Sequence, residues 1–317
     1  MLITASSLNT YTQCPRRYEY SYIKEKIPAS PQAALLVGTA VHIGIEAFWN
    51  SLDVHTSLHN VWEFFKESDF WTSDTGRLEA LKVKAYITGY YAHRSAMLSE
   101  YEVVAVEHDW TKVIDGISFA GKVDLVLRDK KGRLVLVDHK TSGSSDVENP
   151  GSSFWRGLSY DTQMILYREA LSEIAESKGT PTLVYDVVRK TKSKPAQRKR
   201  IAKKKSETKF EYDARKIANT ETDIEYGAKI LRTYAEDDTR YIWREIPVTQ
   251  DEAINKTEEI LYIGKQMSND VMYPRFQNSC VSRWGACPYF DVCCGTDSLE
   301  SSSFKSRPAH VELPNQG

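Results

Sequence analysis

Two acids and a lysine, Asp124, Asp138 and Lys140, interrupt the apolar runs GKVDLVLRD and GRLVLVDHKT. Between those runs lies DKKGR at 129–133, whose Gly132 suits the left-handed position of a three-residue hairpin loop. With residues 130–132 as the loop, Asp129 pairs with Arg133 and the ladder sets Asp124 opposite Asp138. The two-residue period of a strand puts Lys140 on the same face as Asp138. Directly opposed like charges destabilise a sheet, so something cationic should offset them. A surface ladder neutralised by Lys140 alone would satisfy the charge. The apolar flanks argue instead for a divalent ion, and hard oxygen ligands suit Mg²⁺ or Mn²⁺. An ion held by Asp124 and Asp138 would polarise a phosphodiester and lower the pKa of a bound water. Lys140, partly desolvated, would position that water or take its proton. The backbone carbonyl of His139 is a further candidate ligand, while its imidazole should face the other side of the sheet.

Other pairs share a helix face. Gly38, His42 and Glu46 stand four apart in GTAVHIGIE, which makes His42 a candidate imidazole ligand and Glu46 its support. Glycines at 38 and 44 weaken a helix unless a neighbour must come close. His55 and His59 have the same spacing in a polar segment and read as a solvated face. Gln163 and Tyr167 in QMILY present an amide and a phenol that could orient Lys140 or hold a phosphate. Cys280, Cys287, Cys293 and Cys294 fall within fifteen residues, with Cys14 alone near the start. Four thiolates could hold a [4Fe–4S] cluster or a zinc ion, with either Cys293 or Cys294 as the last ligand. A cage joining residue 14 to the 280s would clasp both ends of the chain.

These groups need a scaffold. The chain has 317 residues and is 41% hydrophobic, which rules out a mainly disordered protein. No Walker sequence occurs, so a nucleotide motor of that kind is excluded. The longest uncharged apolar stretch, residues 33–41, is too short to span a bilayer, and no secretory signal follows Met1. Five cysteines without such a signal point to a reducing, cytoplasmic setting. Ten Lys or Arg and no acid fall in residues 189–205, so a formal net charge of −1 conceals −11 elsewhere. That run offers Arg189, Lys190, Lys192, Lys194, Arg198, Lys199 and Arg200 as candidate phosphate contacts on a flexible loop.

The elements read as helices to about residue 100, a three-strand meander from Tyr101, a loop over 142–153 and a helix from Ser159. An apolar strand (TLVYDVV), the basic run, a short strand near KFEYD and helices at about 213–237 and 249–268 follow. This is an α/β or α+β core. The segments are an N-terminal helical region (1–100), a core (101–270), a cysteine segment (271–294) and a flexible tail (295–317).

In order and spacing, SLNTYTQCPRRYEYSYI, GTAVHIGIE, GKVDLVL, VDHKT, QMILY and CPYFDVC resemble the RecB-type, iron–sulfur branch of the PD-(D/E)XK nucleases, across residues 6–293. Asp138 stands where Glu is more usual, Val123 where the family name has Pro, and the spacing from Cys280 to Cys287 is wider than in many relatives. The resemblance implies a restriction-endonuclease-like core, a central mixed sheet flanked by helices. It implies that His42, Asp124 and Asp138 bind Mg²⁺ or Mn²⁺, that Lys140 is catalytic, and that Gln163 and Tyr167 form a downstream motif. It further implies that Cys14, Cys280, Cys287 and Cys293 hold a [4Fe–4S] cluster. The expected activity is a DNA exonuclease acting on single strands or free ends, alone or with a helicase or recombination partner, and without a membrane. Two rivals of other classes are a DNA-end-binding subunit without turnover and a zinc-stabilised structural protein.

Overall fold

The computed structural model describes residues 2–30, 33–171, 180–269, 271–282 and 285–307. Strand β1 (Leu2–Ile3) runs straight into helix α1 (Ala5–Gln13). Thr4 caps it: Ser7 donates its N–H to Thr4 Oγ1 at 3.1 Å, and Ser7 Oγ accepts the Thr4 N–H at 2.9 Å. Cys14 is extended and stops the helix, and Pro15 opens α2 (Pro15–Tyr18), which continues as a π-helical turn to Ile23 before β2 (Lys26–Pro28). Three helices follow: α3 (Ala33–Ser51), α4 (Val54–Phe65) and α5 (Asp74–Arg94). By length and composition α3 could cross a membrane, but Val37, Val41, Ile45 and Phe48 are buried in one cluster with Leu125, Val137 and Val184 of the sheet. Gly44 lets α5 approach, since a Cβ there would lie 2.5 Å from Ile87 Cδ1. Gly38 has ordinary room.

The meander is β3 (Tyr101–Ile114), β4 (Ile117–Asp129) and β5 (Leu134–Ser142). Its second hairpin has the expected register: Asp129 N–H donates to Arg133 O at 2.9 Å, Gly132 has φ +80°, and the ladder runs from Arg128↔Leu134 to Leu125↔Val137. The helix expected from Ser159 appears as α7 (Thr162–Leu171), preceded by a separate α6 (Ser153–Ser159); its expected continuation over 172–176 lies outside the described residues. Strand β6 (Thr182–Arg189) pairs parallel with β5 along its length. KFEYD is not a strand but part of α8 (Lys209–Ala218), because Thr208 and Glu211 form a capping box that overrides the aromatic alternation. Helix α9 (Asp223–Glu236), the unforeseen strand β7 (Tyr241–Ile246) and α10 (Gln250–Asn269) complete the core.

The sheet order is β1-β4-β5-β6-β7, with β3 on the other side of β4, so it is mixed, as expected. One face carries α1, α7 and α10, with Leu8, Leu166 and Ile260 packed among Val126, Leu136 and Val187. The other carries α3, α5 and α9. Strands β1 and β5 share one edge of β4, β1 at Ser118–Phe119 and β5 only from Leu125 onward. Asp124 sits in the gap between them.

The C-terminal part is a small clasp of β8 (Val281–Ser282), β9 (Gly285–Ala286), α11 (Phe290–Cys294) and β10 (Phe304–Ser306). The sequence suggested a flexible tail from residue 295. Instead β10 pairs antiparallel with β2, because Phe304 stacks on Tyr289 at 5.4 Å while Tyr289 OH donates to Lys26 O at 2.7 Å. Residues 308–317 of that tail lie outside the described residues.

Candidate active site

Asp124 stands where β4 is most distorted. Val123 packs into one layer and Leu125 into the other, although residues two apart on a regular strand share a face. The partner strand explains the switch, since Glu107 of β3, opposite this point, has φ 51°. Asp124 Oδ2 therefore swings to the end of β5, accepts the His139 N–H at 2.7 Å and lies 3.8 Å from His42 Nδ1. Asp138 follows the last β4–β5 pair and is 1% exposed. Its Oδ2 meets Lys140 Nζ at 2.7 Å, and its Oδ1 has no hydrogen-bond partner among the described residues. Lys140 Nζ also donates to Gln163 Oε1 at 3.3 Å. Gln163 Nε2 donates to Tyr167 OH, which in turn donates to the Lys122 carbonyl. All the core residues expected from the sequence thus meet at one edge of the sheet.

The electrostatics are those of two crowded carboxylates. Burial, and then the neighbouring Asp138, raises the pKa of Asp124. Asp138 is likewise raised by burial, with Lys140 opposing. Burial would lower Lys140, but Asp138 first and then Asp161 and Asp124 hold it above the ordinary lysine value. His42 is pushed down by burial, then by His139 and Lys140, so it presents a neutral imidazole able to ligate.

A buried carboxylate oxygen without a partner, a second carboxylate beside it and a neutral imidazole form a donor set that fits a hard divalent cation. His42, Asp124, Asp138 and the His139 carbonyl would hold it. Among the described residues, no three His, Cys, Asp or Glu side chains are already closed around a metal position. Instead, the Asp138 charge is balanced by Lys140. Beside Asp124 opens a cavity of about 200 Å³ reached by Ser6, Trp110, Lys122 and Gln163, large enough for part of a nucleotide.

Several residues stand apart from their expected roles. Glu46 interacts with Glu107 and Lys122 rather than supporting His42, and burial and then Glu107 raise its pKa. His55 and His59 are exposed, as expected. In the basic run, Arg189 pairs with Glu148, Arg198 with Glu225, and Lys190 is half-buried with its pKa lowered by burial. Lys192, Lys194, Lys199 and Arg200 are exposed. The run is also tied down rather than loose: Ala196 N–H donates to Glu221 Oε2 at 2.9 Å, Arg198 N–H to Asn219 O at 2.8 Å and Arg215 Nη2 to Ala202 O at 2.9 Å. It leaves the sheet at the end of β5, where Lys190 N–H donates to Ser142 O at 2.7 Å.

The sequence reading missed Asp161, which acts on Asp138 and Lys140 and accepts Tyr185 OH at 3.0 Å. It also missed Asp186, fully buried in β6 behind His139. Asp186 breaks an apolar run just as Asp124 and Asp138 do, and the same signal would have found it.

All five cysteines are free. Cys14 is buried and, with Cys287, neighbours the Cys293 thiol, whose pKa is raised by burial against an opposing hydrogen bond with Tyr20. Cys280 joins them through its carbonyl, which accepts Cys287 N–H at 2.8 Å, whereas Cys294 is exposed. Ser279 Oγ donates to Gln13 O at 2.7 Å, drawing the 280s onto the end of α1.

A mixed sheet flanked by helices, with two acids and a lysine at the end of its central hairpin, is consistent with a nuclease fold. The model of the PD-(D/E)XK nuclease superfamily matches residues 2–294, and the chain belongs to that superfamily. No curated protein matches the chain. Among solved structures, the crystal structure of SSO0001 aligns at 13% identity over 88% of this chain and 81% of that chain, with a TM-score of 0.30, too loose a likeness to add to the assignment.

Proposed function

We propose that this protein is an Mg²⁺- or Mn²⁺-dependent deoxyribonuclease that removes nucleotides from DNA ends, working alone or beside a helicase or recombination partner. The observation that carries the reading is the buried Asp138 carboxylate, one oxygen on Lys140 and the other unpartnered, next to Asp124 and His42. The divalent cation, when bound, would polarise the scissile phosphate and favour a nucleophilic water. Asp124, Asp138, His42 and the His139 carbonyl bind it. Lys140 orients the attacking water and stabilises charge on the phosphate, held in place by Asp138 and by Gln163 and Tyr167. The exposed Lys192, Lys194, Lys199 and Arg200 contact the DNA backbone close to the catalytic edge. A [4Fe–4S] cluster on Cys14, Cys280, Cys287 and Cys293 serves as a structural clasp. Its support is the grouping of three of these thiols and the sheet pairing of β2 with β10 beside them.

The test uses labelled single- and double-stranded DNA with Mn²⁺, each end blocked in turn. Asp138→Ala and Lys140→Ala should abolish cleavage while DNA binding is retained. Cleavage by both variants would sink the mechanism, and equal cutting of closed circular DNA would replace exonuclease with endonuclease. Anaerobically purified protein should be brown and contain iron, and a colourless zinc protein would exclude the cluster.

A further inference from the structure

We propose that Asp186, clamped by Arg94 and Tyr90 behind the sheet, is a positioning residue for the metal site, acting through His139. The proposal rests on the reading above that Asp124 and Asp138 hold the cation.

Asp186 is wholly buried in β6 and pairs with His139 across the parallel ladder. Its Oδ1 accepts Arg94 Nη2 at 2.6 Å and Nε at 3.2 Å. Its Oδ2 accepts Tyr90 OH at 2.6 Å and lies 3.3 Å from His139 Nδ1. Tyr90 OH also accepts Trp49 Nε1–H at 2.8 Å, so α3, α5, β5 and β6 all converge on one carboxylate. The surrounding layer is a hydrophobic core, with Val137, Val184, Val188, Phe48 and Tyr241 among its members. A buried ion pair is a poor device for stability alone, because well-packed apolar side chains often do as well or better. This one calls for another account, and His139 supplies it.

His139 lies between Asp138 and Lys140, and its N–H is the donor that holds Asp124 Oδ2 at 2.7 Å. The β4–β5 ladder ends at Leu125↔Val137, so on that side the side-chain bond to Asp124 takes the place of a ladder bond. On the other side β6 pairs with it, and the Asp186 carboxylate lies within ion-pair distance of the imidazole on the same residue. A shift of His139 would therefore move the Asp124 anchor and the carbonyl aimed at the metal together, and tilt Asp138 and Lys140 with them. Outer partners of this kind commonly change metal affinity by about 10- to 100-fold when removed.

The experiment measures Mn²⁺ affinity by calorimetry and by the EPR signal of free Mn²⁺, without substrate. It compares the wild-type chain, Asp186→Asn, and the double variant Arg94→Met/Asp186→Leu, which removes the ion pair without leaving a buried charge unpaired. Thermal unfolding of each metal-free protein is read in parallel. The expected result is a Kd at least about tenfold weaker in the double variant while its metal-free Tm stays near wild type. Wild-type Mn²⁺ affinity in the double variant, or a loss matched by global unfolding, would overturn the proposal. A wild-type chain that bound no Mn²⁺ would overturn the metal-site reading itself, a result distinguishable from either.

Discussion

Tyr167→Phe should slow cleavage through Gln163 and by no other route. The chain of contacts is linear: Tyr167 OH donates to Lys122 O, Gln163 Nε2 donates to Tyr167 OH, and Lys140 Nζ donates to Gln163 Oε1 at 3.3 Å. Only the last contact touches the proposed catalytic lysine. A hydrogen bond to a charged group contributes roughly 1.5–3 kcal/mol. At 3.3 Å, and with Asp138 Oδ2 already 2.7 Å from the ammonium, the lower end applies. Gln163→Ala should therefore lower the single-turnover rate about tenfold, a decade corresponding to about 1.4 kcal/mol. Tyr167→Phe leaves the amide within reach of Lys140 but free to turn. Losing one neutral bond worth about 1 kcal/mol predicts a loss of about fivefold. The double variant should be no slower than Gln163→Ala alone, because its second substitution has nothing left to act on. The assay is single-turnover cleavage of saturating end-labelled DNA with Mn²⁺, with Tm measured to account for the buried phenol. Multiplied losses, about fiftyfold in the double variant, would refute the linear chain and make Tyr167 an independent contributor.

Other expectations follow from charge. Replacing Lys192, Lys194 and Arg200 by Ala should flatten the salt dependence of DNA binding by up to about 0.9 in log–log slope per phosphate contact on duplex. Arg189→Ala should change that slope little, because Arg189 is already paired with Glu148; a larger effect from Arg189 than from the exposed triple would contradict the assignment. In the metal-free protein, burial holds Asp124 and Asp138 above the ordinary carboxylate range. A raised native pKa stabilises below the unfolded value, about 4, and that stabilisation is lost as pH rises through the native one. Mn²⁺ relieves the repulsion present at high pH, so the Tm increase it causes should grow from about pH 5.5 to about pH 8 and shrink in Asp138→Asn. A shift that is flat or reversed with pH would count against a cation at these two acids.

The hairpin register was legible because Gly132 at φ +80° fixes the loop, and the loop fixes every pair up to Leu125↔Val137. Beyond that pair, period-two reasoning reaches the right residue for the wrong reason. Asp124 meets β5 because the sheet changes face around Glu107, and no local signal at Glu107 announces a positive φ. The anchoring of the basic run was equally hidden, since its carboxylate partners, Glu207, Glu221 and Glu225, come from the next helices and their approaches. KFEYD read as a strand because Phe210 and Tyr212 alternate, while Thr208 and Glu211 carried the stronger helical signal three residues apart.

Asp186 shows what an interrupted apolar run can and cannot say. Asp138 and Asp186 lie one register step apart on neighbouring strands, Asp138 against Tyr185 and His139 against Asp186, and so occupy opposite faces of the same level of the sheet. Both are buried carboxylates in hydrophobic surroundings, and the sequence marks them alike. Their partners differ. Asp186 receives two bonds from Arg94 and one from Tyr90, and although burial opposes it, Arg94 and then His139 hold it ionised far below the usual range. Asp138 has Lys140 on one oxygen and, among the described residues, no partner on the other, and its pKa rises. A saturated carboxylate can only hold its neighbours in place, whereas a half-open one retains affinity for a further cation. That difference in unspent hydrogen-bonding capacity, rather than burial or charge, separates the carboxylate proposed to take a cation from the one proposed to support it.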